Sequence, residues 1–257
     1  MNQPASNIKP WFVCPKPNPN TEIRIFLFPF AGGGPSLFGK WFVKSPCNIV
    51  AWAAHYPGRG SRYTEPAVKQ LAVLVENLFH AIQPHLDKPF AFFGHSMGGL
   101  VAFELIRQLR QNDLPQPIIL FVSACGAPHL PDPHPPIHAL TDAKFLKGVE
   151  ELNGIPSEVL NIPDLMELFL PALRADFEAF EAYYYVPEDH PFNFPIIAFG
   201  GVDDPRVSRE RLEGWASYTN SRFISRYFSG GHFFIDTSKE AIISSIIAEI
   251  TSTHAKG

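Results

Sequence analysis

Gly94-His95-Ser96-Met97-Gly98 fits the pattern G-x-S-x-G, in which a serine hydroxyl is held on a sharp strand-to-helix turn. A serine hydroxyl is a weak nucleophile by itself and needs an adjacent base, which in turn needs a group to orient it. Ser229-Gly230-Gly231-His232-Phe233-Phe234 places a histidine on a glycine turn after a late apolar run, where such a base belongs. The other histidines fit less well. His95 lies inside the turn, His129, His134 and His138 share a proline-rich loop, and His254 is in the tail. The loop trio has no helical or strand frame to fix its geometry, which argues against a metal centre. For the orienting acid, Asp203 and Asp204 stand side by side in Gly200-Gly201-Val202-Asp203-Asp204-Pro205. Either could serve. The spacing from Gly201 and the onward Asp204-x-x-Val207 favour Asp204, with the other carboxylate capping or solvating the turn.

Acyl transfer builds negative charge on a carbonyl oxygen, so it also needs two convergent N–H donors. The turn at Ser96 aims the backbone N–H of Met97 at that position. A second donor comes from the loop after an earlier strand, and Ala31 in Phe28-Pro29-Phe30-Ala31-Gly32-Gly33-Gly34 is the choice. The same glycines begin a rival pattern, since Gly34-x-x-x-x-Gly39-Lys40 matches seven residues of a phosphate-binding loop. The eighth residue is Trp41 rather than Ser or Thr, and Pro35 removes a backbone donor, so the nucleotide reading fails. The surviving pieces run Ser, Asp, His along the chain, the order of α/β-hydrolases. Their chemistry calls for no metal and no cofactor.

Each piece requires an element to position it. Ile23–Phe30, Ile49–His55, Phe90–Phe93, Ile118–Ser123, Ile196–Phe199 and Phe223–Phe228 are short apolar runs bounded by Pro or Gly and read as buried strands. Residues 68–86 and Gly98–Arg110 have helical spacing. Alternation of buried strands and helices predicts an α/β class with a mostly parallel central sheet flanked by helices. About seventy residues between the runs at 118–123 and 196–199 break the alternation. They open with a Pro/His-rich loop and continue into helices expected near 141–152, 156–160 and 164–184. Their position predicts a helical lid over the strand ends, at about 128–187. Residues 1–22 read as an extended lead-in, and 23–257 as one domain with the lid inserted.

Bulk properties narrow the class. The chain has 257 residues, 46% of them hydrophobic, enough for a sizeable core. A net charge of −4 argues against nucleic-acid binding. No apolar run reaches the roughly 18 residues that a membrane span needs. Three cysteines, Cys14, Cys47 and Cys125, lack a CxxC spacing and make a poor disulfide framework, consistent with a cytoplasmic setting.

Taken together, several blocks resemble the type II thioesterases associated with nonribosomal peptide and polyketide synthetases: Phe28-Pro29-Phe30-Ala31-Gly32-Gly33, Tyr56-Pro57-Gly58-Arg59-Gly60-x-Arg62, Gly94-His95-Ser96-Met97-Gly98-Gly99, Leu173-Arg174-Ala175-Asp176-Phe177 and Gly230-Gly231-His232-Phe233-Phe234. The resemblance runs from about Ile23 to Ile235. It departs where Phe30 stands in place of a common Tyr or His. It implies an α/β-hydrolase fold, oxyanion donors at Ala31 and Met97, and Arg174-Ala175-Asp176 within the lid. It further implies hydrolysis of acyl groups from the phosphopantetheine arm of carrier proteins. Small acyl thioesters are expected as further substrates, and a monomer as the acting form. The chain has no carrier motif Gly-x-Asp-Ser-Leu, so the carrier is expected on another protein. A medium-chain thioesterase of fatty-acid synthesis and a carboxylesterase or lipase-like hydrolase are the alternatives.

Overall fold

Parallel strands covered on both faces should be mostly apolar, and the central strands of this chain are, apart from Arg24, His95 and Ser123. In the computed structural model, which describes residues 11–42, 49–151, 163–187 and 190–255, seven strands form one sheet. They are β1 (Phe12–Val13), β2 (Ile23–Phe28), β3 (Ile49–Ala54), β4 (Phe90–His95), β5 (Ile119–Ser123), β6 (Ile196–Gly201) and β7 (Phe223–Phe228). Their spatial order is β1-β3-β2-β4-β5-β6-β7, parallel except for β1. Every residue of β4 and β5 is buried.

The side chains of the inner strands divide between two cores. Phe26, Phe28, Phe90 and Phe92 face helices α1 (Leu71–Ile82) and α2 (Met97–Gln111). Ile25, Leu27, Ala91 and Phe93 face Phe38, Trp41 and the helix α7 (Lys239–His254), through Ile242, Ile246 and Ile250. This alternation at period two is the pleat of each strand expressed as packing. Each fully buried Phe contributes on the order of 1.5–3 kcal/mol. The region of the rival phosphate-loop pattern is a short turn, Pro35–Phe38, and Trp41 packs edge-on against Phe38 with ring centroids 5.1 Å apart.

The insertion after β5 carries α3 (Asp142–Glu150) and α4 (Pro163–Glu181). Phe145, Val149, Leu173 and Phe177 form a small core of their own between them, with Phe145 and Phe177 edge-to-face at 5.3 Å. The helix expected at 156–160 lies outside the described residues. The short helices α5 (Arg209–Glu213) and α6 (Phe234–Thr237) follow β6 and β7.

Two sequence expectations are modified. Phe12 and Val13, inside the expected lead-in, pair antiparallel with Ala54 and Ala53 of β3, so this segment belongs to the sheet. The run expected at Phe90–Phe93 continues as strand through His95, because register with Val122 and Ser123 carries the ladder past Gly94.

Candidate active site

All six parallel strands end at one edge, and the chemistry-bearing loops leave from there. β4 passes into α2 within a single residue. Ser96 occupies that position with φ 53° and ψ −122°, a left-handed backbone that a side chain rarely adopts. A Cβ on Gly98 would lie 2.1 Å from the carbonyl oxygen of Phe28, which is why the pattern demands glycine. The Ser96 N–H donates to the Ser123 carbonyl at 2.7 Å, tying the turn to the end of β5.

The structure brings the three expected residues together. His232 Nε2 lies 2.9 Å from Ser96 Oγ. Its Nδ1 lies 3.1 and 3.0 Å from the two oxygens of Asp204. Asp204 is fully buried, His232 nearly so, and Asp204 Oδ1 also accepts the N–H groups of Arg206 at 2.8 Å and Val207 at 3.2 Å. Two backbone donors and one imidazole hold this carboxylate in one orientation. Asp203 instead is exposed, and its backbone N–H donates to the Gly230 carbonyl at 3.0 Å. Of the two acids, Asp204 is the one that meets the His232 ring. Such an arrangement can lift a proton from the Ser96 hydroxyl and stabilise the resulting imidazolium.

Ala31, Met97, Ser96 and His232 line one cavity. Met97 is the first residue of α2, so its N–H has no intrahelical acceptor. In the glycine-rich loop, the Gly32 N–H is taken by Asp176 Oδ2 at 2.7 Å and the Gly33 N–H by the Phe30 carbonyl at 2.9 Å. Ala31 is thus the loop residue beside Ser96 whose amide is not consumed by these two contacts.

Arg59 and Asp176, which lie in the Tyr56–Arg62 and Leu173–Phe177 blocks, carry no role that their sequence neighbourhoods reveal. Asp176, on α4, makes a buried two-pronged ion pair with Arg59, at 2.8 Å to Nη2 and 2.5 Å to Nη1. Arg59 also donates to the carbonyls of Pro57 and Gly33. Burial works against the guanidinium charge, and Asp176 outweighs it, holding the Arg59 pKa above its ordinary value. The pair fastens the glycine-rich loop to the lid helix. His95, beside the nucleophile, is wholly buried, and Nδ1 lies 2.8 Å from Ser123 Oγ. Burial, with His232 close by, pushes its pKa well below the usual histidine range.

The loop histidines are not gathered into one centre. His129 meets the Tyr218 hydroxyl at 3.0 Å through both its N–H and Nδ1, His138 Nδ1 sits 2.6 Å from Glu181, and His134 gives its N–H to Asp132.

A buried acid–histidine–serine chain at the carboxyl edge of a mostly parallel sheet, beneath a helical insertion, defines an α/β-hydrolase. Residues 23–250 match the family model described as Thioesterase domain, and the chain belongs to that family. The Gramicidin S biosynthesis protein GrsT of Aneurinibacillus migulanus is 40% identical over 238 residues, 93% of this chain and 93% of its own. Linear gramicidin dehydrogenase LgrE of Brevibacillus parabrevis is 39% identical over 245 residues, 94% of this chain and 93% of its own. The type II thioesterase BorB from the borrelidin biosynthetic cluster superposes with a TM-score of 0.83 at 30% identity, covering 95% of this chain and 97% of its own. No helix among the described residues is long and apolar enough to cross a membrane.

Proposed function

We propose that this chain is a type II thioesterase that releases acyl groups from the phosphopantetheine arm of carrier proteins in a nonribosomal peptide or polyketide synthetase. The observation that carries the reading is the 2.9 Å contact between Ser96 Oγ and His232 Nε2, with Asp204 buried against Nδ1. The likeness to GrsT and to BorB supports the substrate class. Ser96 Oγ attacks the thioester carbonyl while its proton passes to His232 Nε2. Asp204 accepts from Nδ1–H and stabilises the imidazolium. The oxyanion is received by the N–H groups of Ala31 and Met97. Collapse breaks the C–S bond, His232 returns the proton to the departing thiolate, and Ser96 is left acylated. Water then attacks the ester, gives its proton to His232, and the free acid leaves as Ser96 regains its hydrogen. The protein acts as a monomer in the cytoplasm, on a carrier supplied by another protein, and small acyl thioesters are poorer substrates.

The test compares kcat/KM for one short acyl group on a holo-carrier, on coenzyme A and on a simple thiol, with the matching oxyester as a fourth substrate. The carrier thioester should be the best of the four, because docking outside the cavity adds binding remote from the reacting bond. Equal values on carrier and simple thiol remove the carrier role. Preference for the oxyester points to a carboxylesterase instead. Retained turnover in Ser96→Ala refutes the mechanism, since loss of a triad serine costs on the order of 10⁴–10⁶ in rate.

A further inference from the structure

Two cavities meet at Ser96 and His232, and their walls differ in charge. The smaller, about 300 Å³, is walled by apolar side chains such as Leu37, Met166, Leu173 and Phe233. The cation on its wall, Arg59, is committed to Asp176 and to the carbonyls of Pro57 and Gly33. The larger, about 530 Å³, extends from Ser96 along Cys125 and Pro128 to a wall bearing Arg206 and Arg211. Their side chains are only 14% and 15% exposed. Asp132 lies between them. Its Oδ2 accepts from Arg206 Nη2 at 3.1 Å, while its Oδ1 takes the His134 N–H at 3.0 Å and lies 3.9 Å from Arg211 Nη1. One carboxylate facing two guanidinium groups leaves a positive charge uncompensated. The other acid on this wall, Glu181, is occupied by the N–H groups of Ile137 and His138 and by the His138 ring.

Donor accounting points the same way. A guanidinium carries five N–H donors. Among the described residues Arg206 spends its side chain on Asp132, and Arg211 gives Nη1 to the Arg206 carbonyl at 3.0 Å. A partly desolvated pair of guanidinium forks with donors to spare, on the wall of a reaction cavity, is matched by a phosphate oxyanion.

We propose that Arg206 and Arg211 bind the phosphate of the phosphopantetheine arm. The inference rests on the carrier-arm reading of the site and adds which cavity takes which end of the substrate. The arm is a thin neutral chain with the thioester at one end and a single phosphate at the other. It lies in the larger cavity with its phosphate on the arginines, and the acyl group enters the apolar cavity. Arg206 stands two residues beyond Asp204 and gives that carboxylate its backbone N–H, so acid and phosphate subsite share one loop. The same oxyanion chemistry is offered by the phosphodiester of a carrier, the monoester of free phosphopantetheine and the pyrophosphate of coenzyme A.

The test measures kcat/KM for one acyl group on pantetheine, on 4′-phosphopantetheine, on coenzyme A and on a holo-carrier. At low salt the wild type should favour acyl-phosphopantetheine over acyl-pantetheine by roughly tenfold, the size of a charge-assisted contact, and raised salt should shrink that ratio. In Arg206→Gln/Arg211→Gln the ratio should fall toward one. In Asp132→Asn, which removes the competing carboxylate, it should rise. If the double variant does not fold, Arg206→Gln alone and Asp132→Asn carry the test, since the Arg206 backbone N–H to Asp204 survives both. A wild-type ratio near one overturns the proposal, as does a ratio unchanged in the arginine variants. An effect of those variants confined to coenzyme A would reassign the site to the pyrophosphate and also overturn it. A wild type that hydrolyses none of these thioesters refutes the underlying function, a result distinct from a unit ratio.

Discussion

Asp176→Ala should destabilise the protein severely, although the residue touches neither Ser96 nor His232. The carboxylate is 3% exposed and its partner Arg59 is 4% exposed. Its removal strands a buried guanidinium and takes the acceptor from the Gly32 N–H. Breaking a buried ion pair at one end costs about 3–5 kcal/mol, because the remaining charge cannot return to water. For a domain of this size each kcal/mol moves Tm by roughly 2–4 °C, so a fall of about 6–20 °C is expected. Calorimetry or urea unfolding of Asp176→Ala against wild type reads this directly. Asp87→Ala is the internal control: Asp87 also pairs with an arginine, Arg24, but is 60% exposed, and such a pair contributes at most about 1 kcal/mol. Removing both charges, as Arg59→Met/Asp176→Leu, should restore part of the loss, since an apolar pair leaves nothing unpaired. If Asp176→Ala were no worse than Asp87→Ala, the claim that this pair fastens the lid to the glycine-rich loop would fail.

Asp204→Asn should lower kcat on the order of 10⁴-fold by misorienting His232, whereas exposed Asp203→Asn should stay within a few-fold; steady-state kinetics on an acyl thioester distinguishes them. Gly98→Ala places a Cβ 2.1 Å from the Phe28 carbonyl oxygen, so it should abolish labelling of Ser96 by a fluorophosphonate or prevent folding; a labelled, active variant would contradict the turn geometry. Burial pushes the Cys125 thiol up to about 12, so the protonated, unreactive form persists throughout the neutral range. Iodoacetamide at pH 8 should spare Cys125 in the native protein and modify it after denaturation, as read by peptide mass spectrometry.

The elements that position the site were legible where the physics is local. Buried parallel strands declare themselves as apolar runs, Pro29 and Gly230 mark where the chain turns, and Gly98 marks where two main chains come close. What the residues alone left open required the third dimension. Asp203 and Asp204 differ by one position, and the turn beyond β6, in which the Asp203 N–H goes to the Gly230 carbonyl and the Asp204 carboxylate takes the N–H groups of Arg206 and Val207, leaves one exposed and sets the other against His232. Arg59 and Asp176 are separated by 117 residues, and nothing in either neighbourhood announces that they meet. Two residues of strand at Phe12–Val13 are too short for any periodicity to show. Pro171 inside α4 would ordinarily argue for a break, yet it sits on an exposed part of the helix, where water can take the freed carbonyl.

The glycine contacts behind the triad bear on how such a protein can change over generations. A Cβ on Gly98 would strike the Phe28 carbonyl, and one on Gly201 would lie 2.4 Å from the Gly231 carbonyl oxygen. The loop bearing Ser96 is therefore pressed, main chain to main chain, against the end of β2, and the loop bearing Asp204 against the one bearing His232. The relative placement of the loops that carry the reacting groups is thus set largely by main-chain contact. In a saturation library the intolerant positions should be these glycines, the triad and the buried Arg59–Asp176 pair, while the apolar side chains that wall the smaller cavity, such as Leu37 and Met166, accept many replacements. Selection can then reshape the substrate range freely while the reaction itself stays fixed.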